Sequence, residues 1–158
     1  MKKYGVAIPF LLLFLFPVIF QHCATHPVDH SGFLPPVKIQ LPRNAKNDPD
    51  MVSFVLTTEN HINSLSNRLE TVATRGNMLL RKKDVSFLEK IKLMKIKIQI
   101  VNGTNALIGE LEKVQQYRRD HPKEVKDRDH VAACESLSRA IKKRLMDLTR
   151  KYNELFTL

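Results

Sequence analysis

The chain of 158 residues is predicted to be all-α, an antiparallel three-helix bundle or a long helical hairpin extended by a third helix, preceded by a disordered Pro-containing tether. Three observations lead there. Apolar residues recur at spacings of three and four from residue 51 onward, the period of a helix with one buried stripe. Proline is absent between Pro49 and Pro122. Five of the eight prolines, Pro27, Pro35, Pro36, Pro42 and Pro49, crowd instead into residues 24–50, where large apolar side chains are sparse.

The first helix is expected to stop around Arg81. Its stripe is Val55, Thr58, Ile62, Leu65, Leu69, Val72, Gly76 and Leu79. Ser86 with Glu89 three residues later has the pattern of a capping box, which starts the second helix. That helix carries two stripes. One runs through Phe87, Ile91, Met94, Ile98, Val101, Asn105 and Ile108, the other through Leu93, Ile96, Ile100, Leu107, Leu111 and Val114. A helix with two apolar faces calls for two neighbours. The stretch 91–100 also alternates at period two ahead of Asn102-Gly103, a hairpin signal. The sequence after Gly103 returns to helical spacing, so helix is favoured over strand, with its weakest point at Gly103, because glycine costs about 1 kcal/mol relative to alanine. Pro122 is placed to open the third helix. Its stripe is Val131, Cys134, Leu137, Ile141, Leu145, Leu148, Tyr152 and Leu155, with Asp127 and Asp129 near the start and Arg150 and Lys151 near the end, as the helix dipole favours.

Upstream of all this, two lysines in Met1-Lys2-Lys3-Tyr4 precede an uncharged apolar run of 16 residues, 5–20, and then Gln21-His22-Cys23. A basic start, an apolar middle and a short exit form an export signal. The run is at the short edge of the roughly 20 residues a membrane-spanning helix requires, and it contains Pro9 and Pro17, which favours removal. Ordinary cleavage after Ala24 would put His22 where a small residue is needed.

Phe20-Gln21-His22-Cys23 resembles the relaxed lipobox of bacterial lipoproteins of the spirochaete type, in which a polar residue can precede the cysteine. The resemblance covers the first 23 residues only. It implies that residues 1–22 are discarded and that Cys23 becomes the acylated first residue. The prolines and the onset of helical spacing divide what remains into a lipid-anchored extended linker, 23–50, and a helical domain, 51–158. The resemblance also implies a membrane-anchored location at the cell envelope, with membrane lipid as partner through Cys23. Two other outcomes stand beside it: an uncleaved single-pass protein whose coiled-coil ectodomain pairs with a partner, and an ordinary secreted protein.

The net charge of +10, or +8 once Lys2 and Lys3 are set aside, favours an anionic envelope surface or an acidic protein partner. Nucleic acid is not expected, since export removes the chain from it and no aromatic residues interleave with Arg81-Lys82-Lys83, with Lys90, Lys92, Lys95 and Lys97, or with Arg139, Lys142, Lys143 and Arg144. These runs read as solvated helix faces. Two cysteines are too few for a disulfide framework, and Cys134 fits a small core side chain.

No catalytic residue, cofactor or resident metal is expected. Cys23, His26 and His30 have ligand types, but acylation would consume the thiolate, and His61, His121 and His130 read as surface histidines. Glu110 with Glu112, and Asp127 with Asp129, fall two apart and so point to different sides of a helix. The glycines form no phosphate loop and no serine lies in a nucleophile elbow. Asn102-Gly103-Thr104 matches a glycosylation sequon, relevant only to a eukaryotic secreted chain. The function expected is a structural or binding element rather than an enzyme.

Overall fold

The computed structural model describes residues 28–121 and 127–156. A single 3-10 turn, Ala45–Asn47, leads into α1 (Pro49–Leu80), α2 (Phe87–Asp120), α3 (Arg128–Lys151) and the short α4 (Asn153–Phe156), with no strand among the described residues. The stretch 91–100, with its alternating pattern, is helix throughout.

Each long helix begins where its cap chemistry dictates. Asp48 accepts hydrogen bonds from the Asp50 and Met51 amides and is followed by Pro49 at the first helical position, where no amide is needed. Ser86 and Glu89 form a complete capping box. The Glu89 carboxyl is held down to about 2, first by its bond from Lys82 and then by those from Ser86. Asp127 caps α3 through the Asp129 amide. Pro122, expected to open this helix, lies outside the described residues.

The helices run up, down and up. Phe54, His61, Leu69 and Gly76 of α1 meet Tyr117, Glu110, Gly103 and Ile96 of α2 in reverse order. Ser66 and Thr74 meet Arg144 and Tyr152 in the same order, so α3 lies parallel to α1. The core is a file of Val55, Ile62, Leu69 and Ala73 from α1, Ile100, Leu107 and Val114 from α2, and Leu137, Ile141 and Leu148 from α3. Tyr152 breaks α3, and α4 turns Leu155 inward against Gly76 and Ile96.

The prolines do not produce a free tether over residues 33–48. Leu34, Val37, Ile39 and Leu41 pack on the bundle core, while Lys38 and Gln40 point to solvent. This stretch is extended without a neighbouring strand, because α1 side chains stand in for one. The Leu34 amide donates to Glu70 Oε1 at 2.8 Å, the Val37 amide to Asn63 Oδ1 at 2.7 Å and the Ile39 amide to Glu59 Oε2 at 2.7 Å, and Asn63 Nδ2 returns a bond to the Val37 carbonyl at 3.0 Å. The match is dimensional. The eleven helical steps from Glu59 to Glu70 rise about 17 Å, and the five extended steps from Leu34 to Ile39 span about the same. From α3, Arg144 donates to the Pro35 carbonyl and Lys151 to the Gly32 carbonyl. Pro35 and Pro36 bring no amide needing a partner, which suits them to a strap that has no sheet beside it.

Candidate interaction surface

The two stripes of α2 meet different fates. At about 100° per residue the stripe through Ile100, Leu107 and Val114 lies opposite the one through Phe87, Ile98 and Ile108. The first faces the core. The second faces solvent: Phe87 is 77% exposed, Met94 64%, Ile98 56% and Val101 57%, and Ile91, Asn105 and Ile108 are exposed with them. The bundle supplies α2 with one neighbouring layer, not the two that the sequence pattern calls for. From Phe87 to Ile108 this outer stripe runs about 32 Å along the helix.

Lysines line both margins. Lys90 and Lys97 fall to one side of the stripe, and Lys95, with Lys92 beyond it, to the other; Lys97 is half-buried and the rest are exposed. On the α1 side the margin opens into a groove of about 580 Å³ whose apolar lining includes Leu65, Leu69, Val72 and Ala106. Such an exposed apolar strip is uncommon on a monomeric surface.

The other polar side chains have structural work. Glu70 is fully buried. Its Oε1 receives the Leu34 amide, and its Oε2 receives Lys151 Nζ and the Tyr152 hydroxyl, the latter at 3.1 Å. Burial alone would lower the Lys151 pKa, yet the bonds to Glu70 and Tyr152 raise it above its ordinary value. Arg144, read as part of a solvated run, is buried, with Ser66 and Pro35 as acceptors. It lies on the face of α3 that meets the strap, with Ala140, Lys143 and Asp147 beside it.

His130 is likewise not a surface histidine. It is buried at the end of the bundle, with Nε2 2.8 Å from Asp48 Oδ2 and Nδ1 3.3 Å from Asp127 Oδ2. Burial would lower its pKa; the bond to Asp48 and the charge and bond of Asp127 outweigh it and raise the value. In return, the bond from His130 lowers the Asp48 pKa. His121 stacks on Tyr117, which stacks on Phe54, and His61 stands in solvent.

Glu110 is buried rather than solvated. One carboxylate oxygen accepts from Lys113 at 2.7 Å and lies 3.6 Å from His61 Nδ1. Cys134 is core, as its spacing implies, and burial pushes its thiol pKa up.

Cys23 and His26 lie outside the described residues, and His30 is exposed beside Phe33. No group of three or more metal-ligand side chains lies among the described residues. No helix among them is long and apolar enough to cross a membrane. The outer stripe of α2 was legible in the sequence as apolar spacing; that it would face water was not, since spacing alone does not say which of two faces finds a neighbour. The chain matches no family model, no curated protein and no solved structure.

Proposed function

We propose that this chain is a membrane-anchored envelope lipoprotein, held through acylated Cys23, whose basic helical domain works as a binding element. The observation that carries the binding role is the outer face of α2: an apolar strip bordered by lysines on a rod-like bundle. The anchor rests on the leader, with Lys2 and Lys3, the apolar run 5–20 and the cysteine directly after Gln21-His22. Acyl chains contribute about 0.8 kcal/mol per buried CH₂, and stable attachment takes more than one chain. A non-catalytic role is supported by the use of Glu70, Arg144, His130 and Asp48 in holding the strap and the helix ends together. Metabolic labelling with palmitate tests the anchor. Label on the wild-type protein but not on Cys23→Ala is the expected result; equal label on both rejects the assignment.

A second reading keeps the binding face and changes the anchor: residues 1–22 remain, and the helical domain pairs with a partner as the ectodomain of a single-pass protein. The exposed strip on α2 favours the pairing. The intact mass of membrane-extracted protein separates the two, since retention of residues 1–22 excludes lipoprotein processing.

A further inference from the structure

Seven residues of the α2 outer stripe follow one another at spacings of four, three, four, three, four and three: Phe87, Ile91, Met94, Ile98, Val101, Asn105 and Ile108. All seven are exposed. This is a heptad seam, with Ile91, Ile98 and Asn105 at the a positions and Phe87, Met94, Val101 and Ile108 at d. A heptad seam drifts about 20° around a straight helix with each repeat, and a second helix wound left-handed around the first follows that drift. A flat lipid surface does not. Asn105 on the midline points the same way, because a polar amide at an a position sets register between paired helices, whereas in an acyl layer it is a desolvation cost.

We infer that this seam receives an amphipathic helix of a different protein, one carrying carboxylates beside its apolar stripe and a polar side chain opposite Asn105. This rests on the reading of the domain as a binding element and names the partner's chemistry. The residues flanking the seam are Leu88, Lys95, Asn102 and Gly109 at e, and Lys90, Lys97, Thr104 and Leu111 at g. The charged ones are all lysines. A second copy of this chain meets these conditions in neither orientation. Parallel and in register, the two Asn105 amides pair, but Lys90 of each copy faces Lys95 of the other, a like-charge contact that disfavours the pairing. Antiparallel, a positions meet d positions, and the Asn105 amide is buried against an apolar side chain, leaving a polar group unpaired at about 1–3 kcal/mol. An acidic helix satisfies both margins and Asn105 at once.

The test uses the full chain in neutral phosphatidylcholine nanodiscs and a fluorescent four-heptad peptide with Ile at a, Leu at d, Glu at every e and g, and one Asn at an a position. Its own glutamates keep the peptide from pairing with itself. The expected result is saturable binding that weakens about tenfold or more when the peptide's glutamates are exchanged for lysines, and that is lost in Ile98→Glu. Because Ile98 is exposed, the helical circular dichroism of that variant is expected to stay unchanged. The triple change Lys90→Glu, Lys95→Glu and Lys97→Glu is expected to reverse the preference between the two peptides. Equal binding of both peptides, or of neither, overturns the inference. So does a dimer of the chain that Ile98→Glu dissolves, or uptake by phosphatidylglycerol vesicles that Ile98→Glu abolishes while the acidic peptide is ignored. The anchor is read independently by palmitate label, so an unlabelled Cys23 leaves the peptide result standing.

Discussion

Leu69 of α1 seats its side chain directly on the bare backbone of Gly103 in α2, where an added methyl carbon would lie 2.6 Å from Leu69 Cδ2 and 2.9 Å from its Cγ. The residue that weakens α2 by propensity is therefore what lets α1 approach it. Leu69 is itself buried and cannot swing away cheaply. Gly109, two turns on, has nothing within 4 Å of the same position.

These two glycines predict opposite signs within one helix. Gly109→Ala is expected to stabilise by about 0.5–1 kcal/mol through helix propensity and a less disordered unfolded chain. Gly103→Ala gains the same and loses more to overpacking, which costs about 1–3 kcal/mol, so a net loss is expected. Urea midpoints of the two variants measured side by side check the pair; stabilisation by both would mean that Leu69 repacks.

His130 with Asp48 makes stability depend on pH in a defined window. The folded His130 pKa is raised above its ordinary 6.5, so its contribution is complete below that value and is lost as pH rises through the folded one. The Asp48 pKa is lowered from 3.8, so its contribution is present above that value and is lost as pH falls through the folded one. The pair therefore contributes most between about pH 4 and pH 6.5. Arg118 and His121 of α2 line the same small cavity as His130 and belong to its surroundings. Unfolding midpoints are expected to fall between pH 6 and pH 8 in the wild type, and His130→Gln is expected to flatten that fall.

Glu70 holds three partners from two parts of the chain, so its removal should loosen both. Glu70→Ala is expected to cost about 2–3 kcal/mol, because the Leu34 amide and the Tyr152 hydroxyl lose an acceptor and Lys151 loses its counter-charge. Hydrogen exchange checks the mechanism. The Leu34 amide should exchange about tenfold faster or more, while amides in the middle of α2 change only as far as global stability does.

Asn63 satisfies both the amide and the carbonyl of Val37, and Asn63→Ala leaves two backbone groups to find water. A loss of about 1–2 kcal/mol is expected, with the strap rather than the helices responding first. Limited proteolysis reads this as earlier cleavage within residues 33–41 and an unchanged cleavage pattern in α1.

Much of the helical frame is written locally. Ser86 and Glu89 announce a helix start three residues apart, and the bonds they make are the ones that spacing implies. The apolar period of α3 marks Cys134, Leu137, Ile141 and Leu148 as core, and all four are buried. The strap was not legible as such. Its amides bond to Glu59, Asn63 and Glu70, side chains 20, 26 and 36 residues away, and helix period gives polar residues on α1 no mark that distinguishes an acceptor of a passing chain from a solvated one. The alternation of Val37, Ile39 and Leu41 with Lys38 and Gln40, between Pro36 and Pro42, reads as a short edge strand or as linker, and neither reading names α1 as what covers it. His130 and Arg144 stand one turn from Cys134 and Ile141, on the apolar face itself, so spacing places both in the core while their polarity argues the other way; their partners Asp48, Ser66 and the Pro35 carbonyl lie far off in sequence.

The strap also decides how the domain answers a pull. Residues 33–41 run antiparallel to α1, so Asp29 shares a cavity with Arg81 and Lys151, at the end of the bundle where α1 finishes. Tension applied there along the rod's axis would load the bonds at Leu34, Val37 and Ile39 in shear, all together, instead of peeling them one by one. A body moored from upstream would hang by that end, and drag on it would reach α1 along its length before reaching any single turn of helix.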